Sequence, residues 1–217
     1  MDEVLPGLYA SAPETLPFGP PYQLRAFLLM RDSGNLLLYR ADTLGPEREA
    51  IEQLGGISRQ YLNHRHEAAP VCDWVAETFA APLHCHESEE PSVAETCAVA
   101  ATFSKRHVLD GDFEVIPTPG HTRGATAFLW DSGAHRVLFT GDTIFARGER
   151  WIAAVLDGVS DRERYIESLE LIRELDFDVI VPGITSDNRP NHAYVERPEA
   201  QRQIDAIIER LRRGEDN

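Results

Sequence analysis

The sequence is poor in cysteine and in positive charge, and it has no long apolar run. Its three cysteines, Cys72, Cys85 and Cys97, include no Cys-x-x-Cys pair. An odd number without a pairing pattern argues against a disulfide framework and favours a reducing cytoplasm. The longest apolar runs have the length of a strand, far below the roughly 20 residues that a membrane-spanning helix needs. We therefore expect a cytoplasmic protein with no membrane partner.

The charge balance limits the classes of partner. Lysine and arginine total 21 residues against 36 aspartates and glutamates, so the formal net charge is −15. Phosphate backbones and acidic lipids are not attracted to such a surface, so we expect no nucleic-acid partner. A small-molecule substrate remains compatible with this charge, and a homodimer is an open expectation. The start, Met1–Val4, is acidic where a signal peptide is basic, so no targeting segment is expected.

The length and patterning predict one domain, residues 1–217, with two pseudo-symmetric halves at roughly 1–105 and 106–217. In the first half we expect strands at 23–30, 35–40, 57–62 and 82–86, helices at 46–54 and 70–79, and a helix start at the capping box Ser92–Glu95. In the second half we expect strands at 113–117, 125–130, 136–140 and 178–181, a helix after the capping box Ser160–Glu163, and a closing helix at 199–213. Strands interleaved with helices in two halves imply two sheets between outer helices.

Two histidines stand at the end of a predicted strand. His64 and His66 are two residues apart, so on an extended backbone both rings point to the same side. A divalent metal needs this arrangement from two neighbouring imidazoles. Alone, the pair is weak evidence, because two exposed loop histidines would look the same.

Two further strand ends carry the same kind of residue. His121 lies in the turn Thr118–Gly124 directly after a predicted strand, and Asp142 comes just past the end of another. Functional side chains collect at such positions. Three strand ends that each deliver a metal-ligand residue predict a metal site.

This ordered series of motifs resembles the metallo-β-lactamase superfamily over nearly the whole chain. The resemblance implies an α/β fold, a four-layer αββα sandwich with two mixed sheets between outer helices, and a glyoxalase II-like metallohydrolase. It implies that His64, His66 and His121 hold the first metal. It also implies that Asp142 is the carboxylate that usually bridges two metals.

Three departures from the family pattern remove the ligands of a second metal. The family pattern His-x-His-x-Asp-His has alanine here at Ala68 and Ala69, and the late strand ends in Pro-Gly followed by Ile184 instead of histidine. Alanine and isoleucine have no lone pair to donate, so we expect one metal ion per chain. Glu67 and His192 are candidate substitutes, although a solvated loop position explains each of them as well.

The resulting expectation is a mononuclear hydrolase. One divalent ion, zinc or alternatively iron or manganese, would act on a small-molecule ester, thioester or lactone through metal-bound hydroxide. Asp142 would complete the metal shell or orient the water. One alternative is a non-haem iron oxygenase that resembles the persulfide dioxygenases, since two histidines and a carboxylate suit iron. Another is a catalytically inactive member that binds a metal or ligand.

Other candidate residues carry less weight. His84 and His86 form a second His-x-His pair, which we interpret as a surface strand end. Trp151 follows the loop after Asp142, where family members often shape the substrate pocket. Arg123 and Arg147 lie near His121 and Asp142 in the sequence and could hold an anionic substrate.

Overall fold

The computed structural model describes residues 1–17, 22–185 and 191–215, which form two compact units. The first unit is Met1–Ser104 and the second is Lys105–Asn217. This division lies one residue from the boundary expected between the two halves. Whether the units fold together as a single domain stays a prediction.

The first unit contains a seven-stranded mixed sheet. The strands described in this unit are β1 (Asp2–Leu5), β2 (Leu8–Ala10), β3 (Glu14–Thr15), β4 (Gln23–Leu24), β5 (Phe27–Leu29), β6 (Leu36–Leu38), β7 (Arg59–Tyr61), β8 (Leu83–His86) and β9 (Ala101–Phe103), and seven of them form the sheet. The sheet order is β1-β2-β5-β6-β7-β8-β9, antiparallel as far as β6 and parallel from β6 to β9. Strands β3 and β4 form a separate antiparallel pair.

Helices of the first unit pack on this sheet. They are α1 (Arg48–Gln53), α2 (Val71–Phe79) and α3 (Glu90–Val93), with 3-10 turns at Asp42–Glu47 and Arg65–Glu67. The capping-box prediction at Ser92 is wrong, because α3 already begins at Glu90 and ends at Val93. The single strand expected at 23–30 is also wrong, since Arg25 and Ala26 separate β4 from β5. The sequence patterns missed β1, β2, β3 and β9.

The second unit contains a six-stranded mixed sheet. The strands described in this unit are β10 (His107–Leu109), β11 (Phe113–Pro117), β12 (Thr126–Asp131), β13 (Arg136–Gly141), β14 (Phe145–Arg147), β15 (Arg150–Ile152), β16 (Val179–Pro182), β17 (Ile184–Thr185) and β18 (Ala193–Tyr194), and six of them form the sheet. The order is β10-β11-β12-β13-β16-β18, with one parallel pair, β13 and β16. Strands β14 and β15 form a hairpin. Because β13 and β16 run parallel, Gly141 pairs with Pro182 and their carboxyl ends meet.

Two amphipathic helices cover the core of the second unit. Helix α4 spans Arg162–Arg173 and α5 spans Arg197–Arg212. The predicted apolar stripe of α5 is confirmed, since Ile204, Ile207, Ile208 and Leu211 are all buried. The N-cap of α4 is Asp161, whose carboxylate accepts from Glu163 N and Arg164 N, so the predicted cap at Ser160 is wrong by one residue.

The three cysteines agree with the expectation that the chain has no disulfide framework. Cys72, Cys85 and Cys97 are free and buried. Burial raises the pKa of the Cys85 thiol to about 12. None of the helices in the described ranges is long and apolar enough to span a bilayer.

Candidate metal centre

His64 and His66 follow strand β7 in the first unit. His64 has an extended backbone, with φ −160° and ψ 174°. Arg65–Glu67 then forms a 3-10 turn, so the expectation that both histidines share an extended backbone is wrong. The turn still brings the two rings together, with centroids 4.9 Å apart and planes at 86°. His64 is buried, whereas His66 is exposed.

Neighbouring side chains set the orientation of the His64 ring. Asn63 Oδ1 lies 2.9 Å from His64 Nδ1. An amide oxygen only accepts hydrogen bonds, so Nδ1 carries the proton and Nε2 the lone pair that a metal needs. Glu67 Oε2 accepts from Asn63 N at 2.6 Å, and Oε1 lies 3.7 Å from His64 Nδ1. Glu67 is 12% exposed, so it supports His64 and is not a solvated loop carboxylate.

An ion pair with Glu89 holds Arg65, the residue between His64 and His66. The side chain of Glu89 is fully buried, and its Oε2 accepts from Arg65 N at 2.9 Å and from Arg65 Nε at 2.6 Å. Its Oε1 accepts from an Arg65 terminal nitrogen at 2.9 Å. This bond raises the pKa of the Arg65 guanidinium. The fork geometry ties the His64–His66 turn to the segment before α3. The sequence reasoning missed this pair, because 23 residues separate its members.

Replacing Glu89 by alanine is expected to lower the free energy of unfolding by about 1–3 kcal/mol, because Arg65 would lose a charged partner inside the protein. Urea unfolding of metal-free protein measures this. Glu114→Ala is the matched control, since it removes the partner of Arg106 (2.6 Å) near the surface. Surface pairs contribute about 0–1 kcal/mol. Equal losses in the two variants would show that the Arg65–Glu89 pair does not hold the turn.

His121 lies in the second unit, in the turn after β11. Its ring is buried, and its Nδ1 lies 2.6 Å from Ala154 O. A carbonyl only accepts, so Nδ1 carries the proton and Nε2 is the nitrogen available to a metal. Three hydrogen bonds hold the turn. Two come from the residues just before α4, Ser160 Oγ to His121 O (3.0 Å) and Asp161 N to Gly120 O (2.9 Å). The third comes from the middle of α4, from Ser168 Oγ to Pro119 O (2.7 Å).

Asp142 follows β13 directly, as the sequence predicts. Its Oδ2 lies 3.8 Å from His121 Nε2, and its side chain is 18% exposed. Burial raises the pKa of this carboxyl, and the nearby His121 opposes that shift. Gly183 N donates to Gly141 O at 2.9 Å, and a Cβ on Gly183 would stand 3.0 Å from Asp142 Oδ1. Glycine at the end of β16 therefore leaves room for the carboxylate.

Three histidines are arranged for metal binding. Among the described residues, His64, His66 and His121 form a group that could hold a metal ion. Imidazole nitrogens suit zinc, iron and other divalent transition metals, so the donor set fits the expected ion. Asp142 is not a member of this group, and its assignment as a ligand stays a prediction.

The positions of the expected second-metal ligands offer no donor atom on their side chains. Ala68 packs against a buried apolar cluster of the first unit, made of Leu62, Cys72, Leu83, Cys85, Val93 and Cys97. Ala69 is buried, and Ile184 directly follows Gly183. A carboxylate at position 68 would face apolar side chains, which gives a physical reason for the alanine there.

The remaining candidates lie elsewhere. His84 stacks on Tyr61 with centroids 4.8 Å apart, and His86 is 9% exposed, so a surface strand end is the wrong interpretation of β8. His192 is half-buried with its ring against Tyr194. Trp151 is buried in β15, where its carbonyl accepts from Arg210. The exposed side chains of Arg123 and Arg147 are compatible with anion binding, which stays a prediction.

Comparison with known proteins points to one family. The family model described as the metallo-beta-lactamase superfamily matches residues 99–184. A hydroxyacylglutathione hydrolase of Erwinia tasmaniensis is 27% identical over 154 residues, covering 69% of this chain and 57% of the relative. The match thus spans less than two thirds of that relative's length.

Solved structures of low identity share the fold. A metallo-beta-lactamase from Pontibacter korlensis superposes with a TM-score of 0.71 over 97% of each chain, at 14% identity. A protein crystallised in a di-iron-bound form gives a TM-score of 0.65 at 22% identity, over 88% of this chain and 98% of its own. The predicted fold class, two mixed sheets with helices in a metallo-β-lactamase arrangement, is therefore confirmed.

Proposed function

The chain belongs to the metallo-β-lactamase superfamily, and from this premise we propose that it is a hydrolase that uses one divalent metal ion, zinc, to cleave a small-molecule thioester, ester or lactone. The observation that carries this proposal is the group of three imidazoles, His64, His66 and His121. Thioesters come first among the substrates because several curated relatives are hydroxyacylglutathione hydrolases.

The chain's own residues have separate parts in this reaction. His64, His66 and His121 would hold the ion, and the ion would supply an activated water and polarise the substrate carbonyl. Asn63 and Ala154 keep the protons of His64 and His121 on Nδ1, so that Nε2 faces outward as the donor. Asp142 would accept a hydrogen bond from the attacking water at its carboxylate and so orient it.

A single ion is part of the proposal. The side chains of Ala68, Ala69 and Ile184 have no donor atoms, and each stands where the family pattern places a ligand of the second metal. The net charge of −15 supports a small-molecule substrate and argues against nucleic acid or an anionic membrane. A cytoplasmic location and a homodimer stay predictions.

A metal titration tests the proposal. Protein stripped with a chelator is expected to hydrolyse none of three probes: S-lactoylglutathione, an aryl acetate and a butyrolactone. Activity on at least one probe is expected to return with one equivalent of zinc and to stay constant with a second equivalent. A rise that ends only at two equivalents would contradict the single-ion site. No zinc binding at all would favour a catalytically inactive member of the fold.

Iron chemistry is the second candidate, because one fold neighbour was crystallised in a di-iron-bound form. Protein purified without added metal would then contain iron, and it would consume oxygen with a persulfide. Zinc-dependent hydrolysis without oxygen consumption would exclude this oxygenase activity.

A further inference from the structure

Tyr165, in the first turn of α4, contacts main-chain groups near His121 and Asp142. Its side chain is completely buried. Its hydroxyl lies 3.0 Å from Asp142 O and 2.9 Å from Thr143 O, and it accepts from Ala154 N at 3.1 Å. Burial raises the pKa of this phenol well above its usual value, so the hydroxyl keeps its proton at neutral pH.

Ala154 connects this hydroxyl to His121. The amide nitrogen of Ala154 donates to Tyr165, and the carbonyl of the same residue accepts from His121 Nδ1 at 2.6 Å. A displacement of Ala154 would therefore move the acceptor that fixes the His121 ring. Ala154 N also donates a longer hydrogen bond to Asp142 O, at 3.4 Å. The Tyr165 hydroxyl is within hydrogen-bond distance of both of these atoms.

The backbone of Tyr165 also packs closely against the turn that carries His121. A Cβ on Gly120 would lie 2.5 Å from Tyr165 Cα, so the turn that carries His121 rests directly on this residue. Asp142, Ala154 and Gly120 come from three separate segments of the second unit, and all three meet at Tyr165.

We propose that Tyr165 is a positioning residue, whose hydroxyl sets the spacing between the Asp142 main chain and the carbonyl that orients His121. This inference rests on the proposed function, since it assigns Tyr165 a role toward the metal that His121 would hold. Without the hydroxyl, Asp142 O would be the remaining acceptor of Ala154 N, so the present 3.4 Å hydrogen bond between them would shorten and the His121 ring would follow Ala154. Outer partners that orient a ligating histidine change metal affinity by about 10–100-fold.

Tyr165→Phe tests the proposal by removing one oxygen while keeping the ring. The zinc dissociation constant, measured by competition with a chromophoric chelator, is expected to rise about 10–100-fold. The visible absorption of the cobalt-substituted protein is expected to shift with the ligand geometry. Tyr39→Phe is the matched control, because Tyr39 is also buried but lies in the first unit, and its dissociation constant should stay within about twofold of wild type.

A second readout needs no metal. The His121 Nδ1 proton is held by Ala154 O and should give a protected downfield proton resonance in metal-free protein, assigned by its loss in His121→Ala. In Tyr165→Phe this resonance is expected to broaden or disappear while the unfolding midpoint still shows folded protein. Unchanged zinc affinity and an unchanged resonance would overturn the role of Tyr165. Absence of zinc binding in wild type would instead overturn the proposed function, and the resonance would still test Tyr165.

Discussion

Replacing His121 by alanine is expected to reduce the metal content from about one ion per chain to nearly none and to reduce hydrolysis more than about 100-fold. Loss of an outer hydrogen bond to a ligand already costs about 10–100-fold in affinity, and here the ligand itself is removed. The His121 ring is buried and its Nδ1 is bound to Ala154 O, so the fold fixes the position of this ligand. Elemental analysis of protein purified without added metal gives the stoichiometry.

The control for this variant is His135→Ala. His135 belongs to the same unit, but its Nδ1 pairs with Asp178 Oδ2 at 2.8 Å. This control should keep its metal and its activity. Two ions per wild-type chain would mean that other residues replace the ligands missing at Ala68, Ala69 and Ile184. Retention of the metal in His121→Ala would refute the assignment of His121.

Gly120→Ala is expected to destabilise the protein by about 3–5 kcal/mol. The new Cβ would lie 2.5 Å from Tyr165 Cα, and backbone of a packed helix cannot yield at low cost. The backbone φ of +153° adds strain for any residue with a side chain. Because the turn must move away from α4, the zinc dissociation constant is also expected to rise.

Gly133→Ala is the control that separates the steric contact at Gly120 from the strain of a positive φ. Gly133 also has a positive φ, +80°, but a Cβ there would meet no atom within 4 Å. Its substitution should cost about 1 kcal/mol, which is the strain alone. Urea unfolding of chelator-treated protein compares the variants. A difference of less than about 1 kcal/mol between them would show that the approach of Gly120 to Tyr165 is not rigid.

Local sequence patterns predicted the elements that have a periodic apolar pattern or clear turn residues at their ends. The buried stripe of α5, the strands β11, β12, β13 and β16, and the turn at 118–124 all lie within a few residues of their expected positions. The patterns missed short strands in both units, because two to four residues are too few to show an alternation. These strands are β1, β2, β3, β9, β10, β14, β15, β17 and β18. The patterns also misplaced the starts of α3 and α4, where several capping residues stand next to each other.

The four predicted site residues lie where strands end, but the reason given for His64 and His66 was wrong. An extended backbone would place both rings on one side, whereas the structure turns at Arg65–Glu67 and still brings the rings to 4.9 Å. A sequence pattern records the spacing of two side chains and not the backbone between them. Arg65 in this turn is paired with Glu89, which lies far away in the sequence.

The sequence alone determined the identity of the donor atoms and of the missing ones. The sequence shows directly which residues are histidine and that Ala68, Ala69 and Ile184 are not. It also carries the family resemblance. Only the tertiary structure decided what holds those donors in place. The donors are held by hydrogen bonds that involve Asn63, Glu89 and Tyr165, and the directions of these bonds depend on side-chain rotamers. The partners in these bonds lie 4 to 24 residues apart in the sequence. Such contacts leave no periodic signal in the chain, because they satisfy buried polar groups rather than repeat along a helix or strand.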